Sequence, residues 1–319
     1  MGKLKFGVFF PFHMLQAKGI PPQERFRQIR SSVLECEKLG YHSVWLDDHL
    51  MYNEWPILEC WTTLSALAAL TTKIRLGTMV SCTTHRNPAL LAKMAATVDV
   101  VSGGRLELGV GAGVQEREHL AYGFGFPKLD ARIERLNEAL QVIRLLCTEN
   151  KANFKGKHFT LTDAACEPKP VQKPHPPITV GGSSQQLMHK ATAPYADRFD
   201  WGLLPIDEYK RKLVFLENHC KAIGRDCGEI EKSCWPSGQV LIAESQNELS
   251  KKIGRYKPAD VSLAEFKKTT LATTPEQWIE QLQVYVDLGV TTFMLYFADF
   301  PCTQGLRLFA KTVINKISL

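Results

Sequence analysis

Apolar residues recur along this chain in two alternating rhythms. Short runs rich in Val, Ile, Leu and Phe are followed by longer stretches in which apolar positions repeat every three or four residues. The short runs predict strands at 5–12 (KFGVFFPF), 43–48 (SVWLDD), 74–80 (IRLGTMV), 105–111 (RLELGVG), 178–182 (ITVGG), 198–204 (RFDWGLL), 239–245 (QVLIAES) and 291–297 (TTFMLYF). The longer stretches predict helices at 21–40, 57–72, 88–101, 130–149, 183–196, 207–224, 275–289 and 304–318. Gly40 closes the first helix and Pro88 opens the third, the usual asymmetry of helix ends. Two segments break the rhythm: a Pro-rich stretch with a short hairpin at 153–177, and a second excursion at 248–272.

Strand and helix in strict alternation point to an α/β fold. Eight such pairs fit a (β/α)8 TIM barrel, one domain over 1–319, with insertions after the fourth helix and after the seventh strand. A doubly wound open sheet is the rival. It would want a glycine-rich phosphate turn after the first strand, and that stretch has no glycine between Gly7 and Gly19.

Composition narrows the function without naming it. The 319 residues are 45% hydrophobic and 23% charged, as in ordinary globular proteins. No apolar run reaches the roughly 20 residues of a membrane span, and the start FGVFFPF is too short and Pro-interrupted for a signal peptide. The net charge of +6 is spread along the chain without aromatic interleaving, so neither nucleic acid nor membrane is an expected partner. Nine dispersed cysteines with no C-x-x-C spacing argue against a disulfide framework and for a reducing cytoplasm.

In a barrel the chemistry gathers where strands end. The third strand leads into the polar loop Ser81-Cys82-Thr83-Thr84 and then His85-Arg86-Asn87, and Gly77 within it signals a bulge or a close approach. Cys82 reads as a small buried hydrophobe, with a ligand-facing thiol as the alternative. The second strand ends in Asp47-Asp48-His49, where His49 has the pKa range for acid–base work and Asp48 or Asp47 could orient it. GVGAG after the fourth strand is a weak dinucleotide motif and a better place for backbone to touch a flat ligand. GGSS before the fifth helix could hold a phosphate on its N–H groups, or Ser183 could simply cap the helix. Asp47, Asp48, His49, His85 and His119 show no recognised ligand spacing, so no metal centre is expected. Phe10, Phe12, Trp45, Met79, Tyr122, Trp201 and Phe297 could together line an apolar slot, although each alone reads as core.

The stretches GYHSVWLDDHL, 58–113, EREHLAYG and EPKPVQKPHPPITVGG resemble the bacterial luciferase-like superfamily of flavin and deazaflavin enzymes over nearly the whole chain. The branch most resembled is the one that uses the deazaflavin F420. The resemblance implies a (β/α)8 barrel, commonly dimeric. It implies a non-prolyl cis peptide at Met79–Val80 behind the cofactor ring, and His49 with Asp48 as the catalytic pair. Ala112, Gly113 and Val114 would meet the cofactor, Gly181, Gly182 and Ser183 its phosphate, and Glu118, His119 and Tyr122 its tail or pocket. Val114 stands where F420-dependent sugar-phosphate and alcohol dehydrogenases carry a glutamate, and Asn53 where they carry a tryptophan. The implied activity is hydride transfer between F420 and a small organic substrate. The alternatives are a two-component FMN monooxygenase fed by a partner reductase, and a non-catalytic flavin-binding protein.

Overall fold

The computed structural model describes residues 4–12, 20–53, 55–182, 184–202, 204–236 and 238–317. Eight parallel strands close on themselves: β1 (Lys5–Phe10), β2 (Ser43–Leu46), β3 (Arg75–Thr78), β4 (Leu106–Gly111), β5 (Ile178–Gly181), β6 (Arg198–Trp201), β7 (Glu231–Cys234) and β8 (Thr292–Leu295). Each strand pairs with its successor, as Gly7 with Ser43 and Leu76 with Leu106, and β8 returns to β1 through Thr292 and Lys5. Residues alternate inward and outward on both buried faces, so strands such as Val44–Trp45–Leu46 are apolar throughout.

The helices follow the predicted order. Three that matter for the site are α1 (Pro22–Leu39), α2 (Cys60–Leu70) and α3 (Pro88–Ser102). α1 ends on Gly40 in the left-handed conformation (φ 80°), and its N–H reaches back to the last turn. Asn87 caps α3 through its Oδ1, 2.8 Å from the Ala89 N–H, with Pro88 as the first helical residue. The first insertion is the antiparallel hairpin Ala152–Lys155 with Thr160–Ala164, which follows the helix Leu129–Thr148.

The predicted seventh strand is the one that moves. Gln239–Ile242 lies outside the barrel in a two-stranded parallel sheet with Thr270–Thr273, and EKSC at 231–234 is the barrel strand. The second insertion therefore begins directly after β7 and includes QVLI. Polarity hides β7 in the sequence, and buried charge pairing explains the polarity. Arg198, at the start of β6, is buried between Glu107 (2.9 Å) and Glu231 (2.7 Å). Lys5 reaches Glu231 at 2.8 Å, Arg75 pairs with Glu107, and the Thr292 hydroxyl donates to Glu231 at 2.5 Å. Residues at the start of six strands (β1, β3, β4, β6, β7 and β8) thus meet in one network at the closed end of the barrel.

Burial alone would push the Glu231 carboxyl up, but Arg198 and hydrogen bonds from Lys5 and Thr292 bring it down to about 2. Its folded value lies below the usual unfolded one near ~4.3, so its contribution is complete above that value and is lost as pH falls toward 2. Replacing Arg198 by Met strands two buried carboxylates and should cost about 3–5 kcal/mol near neutral pH, read by urea unfolding. The deficit should shrink in acid, where the carboxylates protonate; a pH-independent loss would show that packing, not charge, is what Arg198 supplies.

Candidate active site

At the other end of the barrel, β3 leaves its register after Thr78 and rejoins β4 at Ser81–Cys82. The peptide joining Met79 to Val80 is cis, as the family resemblance implies. The Val80 side chain fills a gap made by three glycines on the two neighbouring strands. A Cβ on Gly111 would stand 2.5 Å from Val80 Cγ2, one on Gly181 2.7 Å from Cγ1, and one on Gly109 would overlap the Thr78 carbonyl. Gly77 is needed for a different reason: a side chain there would run into the Trp45 ring.

In front of this bulge lies a cavity of about 400 Å³ at the mouth. Of the candidates from sequence, Asp48, His49, Met79, Val80, Ala112, Gly113, Val114, Glu118, His119, Gly181 and Gly182 all line it. Tyr122 does not: it is half exposed and its hydroxyl donates to the Leu50 carbonyl. Ser183 lies outside the described residues, and it is Ser184 whose hydroxyl accepts the Leu187 N–H at the start of the following helix. Of the aromatic and Met positions proposed as a slot, only Met79 lines the cavity; Phe10, Phe12, Trp45, Trp201 and Phe297 are core.

His49 is not held by Asp48. Its Nδ1 lies 3.0 Å from Glu118 Oε2, and Glu118 Oε1 accepts the N–H groups of Leu50 and, at 3.3 Å, Met51. Glu118 sits on the short helix Glu116–Ala121, so one buried carboxylate orients the imidazole and also fixes the loop that carries it. Asp48 turns the other way. Its Oδ2 accepts the Cys82 N–H at 2.9 Å and pairs with Arg86, which also binds Glu59 at 2.8 Å. Glu59 in turn caps α2 through the Thr62 N–H. Arg86 and Asn87 therefore anchor the loops after β2 and β3 to their helices, and neither lines the cavity. Asp48 Oδ1 is buried with no hydrogen-bond partner among the described residues.

Burial opposes a charge on His49, but the hydrogen bond to Glu118 and the charges of Asp47, Glu118 and Asp48 outweigh it and raise the imidazole above its ordinary pKa. Several lining residues were not singled out from sequence, among them two polar ones, Asp200 and Trp235. Asp200 closes β6 and accepts from Ser233 Oγ (2.9 Å) and Trp235 Nε1 (2.6 Å). Burial lifts its carboxyl to about 6 against those two donors. Trp235 follows the strand that sequence periodicity misses, and the Asp inside RFDWG was the available hint for Asp200.

Residues 4–258 match the luciferase-like monooxygenase family. The chain belongs to that family. Among its curated relatives is an F420-dependent glucose-6-phosphate dehydrogenase of Amycolatopsis mediterranei, 26% identical over 91% of this chain and 94% of the relative. Solved luciferase-like structures share the fold. An F420-dependent secondary alcohol dehydrogenase, in complex with an F420–acetone adduct, superposes with a TM-score of 0.80 at 21% identity, over 98% of each chain. The oxygenating constituent of 3,6-diketocamphane monooxygenase from Pseudomonas putida, in complex with FMN, gives a TM-score of 0.80 at 19% identity over the whole of both chains. No helix among the described residues of this luciferase-like chain is long and apolar enough to cross a membrane.

The His49–Glu118 pair can be tested directly by NMR. The His49 ring should titrate above the ~6.5 of a free imidazole. Glu118→Gln should lower the midpoint, because burial is then opposed only by the charges of Asp47 and Asp48. An unchanged midpoint would remove Glu118 as the residue that sets the basicity of His49.

Proposed function

We propose that this protein is an F420-dependent oxidoreductase that exchanges a hydride between F420 and a small organic substrate. The observation that carries the reading is the mouth itself: a cavity lined by Met79 and Val80 on one wall and by His49, held by Glu118, on another. The near full-length similarity to F420-dependent relatives supports it. F420 supplies, when bound, a ring carbon that gives or takes a hydride. The residues present fit such a ring. Met79 and Val80 would back it, Ala112 and Gly113 would let backbone approach, and Gly181, Gly182 and Ser184 would lie beside its phosphate. Asp48 lines the same cavity, and its Oδ1 is buried with no hydrogen-bond partner among the described residues.

His49 would hold the proton that the substrate oxygen gains or loses, with Glu118 keeping the ring turned and basic. Asp200, with its carboxyl near 6, gives the same cavity a second group that changes protonation close to neutrality. Leu129, Ile133, Leu187 and Val114 give the cavity apolar wall, and no Lys or Arg is among its described lining residues. That lining favours an uncharged organic substrate over a sugar phosphate. An FMN monooxygenase fed by a separate reductase is the second reading, favoured by the fold shared with FMN-containing luciferase-like structures.

Fluorescence titration with F420, FMN and FAD in turn separates the two readings. F420 should bind in the micromolar range or tighter, and FMN binding with none for F420 would overturn the first reading. With F420 bound, His49→Ala should lower turnover by about 10²–10⁴-fold while cofactor affinity changes little. We also propose a homodimer, because Leu90, Val100 and Val101 stand exposed along α3. Light scattering should give twice the chain mass, and Val101→Lys should reduce it; a monomer at micromolar concentration would dismiss this.

A further inference from the structure

Beside the cavity, Cys82, His85 and His119 bring a thiol sulfur and two ring nitrogens to within 4.8 Å of one another, all three residues buried. Neither the acid–base pair nor the Val80 bulge uses them. We propose that these three side chains form a zinc site at the edge of the mouth.

The geometry is close to what the ion asks for. Zinc takes thiolate at ~2.3 Å and imidazole at ~2.0 Å in a tetrahedron, which puts sulfur and nitrogen about 3.5 Å apart. Cys82 Sγ and His119 Nε2 stand 3.5 Å apart. The His119 ring is already set as a metal ligand's would be. Its Nδ1 lies 2.6 Å from the Gln115 carbonyl, which can only accept. The proton therefore sits on Nδ1, and in the neutral ring the lone pair on Nε2 points toward Cys82 and Thr84. A backbone carbonyl on the far nitrogen is the common way of orienting a ligating histidine.

His85 supplies the independent sign. It is 92% buried by complement of its 8% exposure, and its Nδ1 has no hydrogen-bond partner among the described residues. Buried nitrogens are rarely left so. Its other nitrogen, Nε2, lies 2.9 Å from Arg86 Nη1, which can only donate, and 3.7 Å from Asp48 Oδ2, so ligation through Nδ1 moves the ring proton to Nε2 and turns Nε2 from Arg86 toward Asp48. The Thr84 hydroxyl hydrogen-bonds both ligand atoms, 3.0 Å from Cys82 Sγ and 2.6 Å from His119 Nε2, and swings aside when the ion enters. Two cations oppose the ion: Arg86, 2.9 Å from His85 Nε2 and paired with Asp48 and Glu59, and Arg132, whose charge also reaches Cys82. The thiolate and those two carboxylates leave the surroundings net negative.

Binding exchanges one proton for one ion: the Cys82 thiol releases H⁺ as the sulfur–metal bond forms. The ligands come from the loop after β3 and the helix after β4, with His85 and His119 34 residues apart. That separation explains why local sequence spacing gives no ligand pattern. Cys82 and His119 both line the cavity, so a fourth ligand, water or a substrate oxygen, would reach the ion from there.

Cobalt(II) reports on this site without any cofactor or substrate. The purified chain, free of tags and treated with chelator, should take up one Co²⁺ with the near-ultraviolet absorption of a thiolate–cobalt bond, and Zn²⁺ should displace it. Cys82→Ser should abolish that absorption, and His119→Gln should weaken Zn²⁺ binding by about tenfold or more in calorimetry. Uptake without the thiolate band in the unmutated chain, or no stoichiometric uptake, would overturn the proposal even if a variant failed to fold. Because F420 takes no part in the measurement, its outcome is independent of the proposed hydride chemistry.

Discussion

The mouth of the barrel depends on one steric fit, a valine side chain set where three glycines leave room. Val80 could not occupy that place if Gly111 or Gly181 carried a side chain, and a Cβ on Gly109 would strike the Thr78 carbonyl, where β3 leaves its register with β4. Displacing the chain there has two results. It presents the Met79–Val80 backbone to the cavity, and it sends Ser81 to Arg86 over the top of β4, where Asp48 and Arg86 lock it. The polar loop is thus ordered by charge pairing at its end and by packing at its start.

The two ends of the barrel solve different problems with similar residues. At the closed end, Arg198 neutralises two buried carboxylates, and the whole network has its hydrogen bonds filled from within. At the open end, Asp48, Glu118 and Asp200 surround a cavity, and some of their neighbours keep unfilled bonding capacity. Charge is used for closure below and held available for chemistry above.

Most of the barrel was legible because its strands are buried on both faces and read as unbroken apolar runs, as in Val44 to Leu46 or Leu106 to Val110. β7 was not, since Glu231 and Ser233 point into paired polar surroundings and EKSC has no apolar rhythm. QVLI has that rhythm because it packs in a small sheet of its own. The candidate site divided along similar lines. Residues at the ends of β2 to β5 could be named from their position after a strand. The partner of His49 could not, because Glu118 lies 69 residues away while Asp47 and Asp48 stand next to it in the chain. Adjacent side chains on a strand end point in opposite directions, so proximity in sequence favoured the wrong carboxylate.

Glu118 has a further implication for how this protein can diversify. The same carboxylate fixes the basicity of His49 and the course of the backbone at Leu50 and Met51. A lineage cannot retune the proton affinity through this residue without also moving a wall of the cavity. Val114, 80% exposed at the rim and free of such duties, carries no comparable burden. Selection for new substrates should therefore rewrite the rim first and leave the helix that holds Glu118 almost untouched.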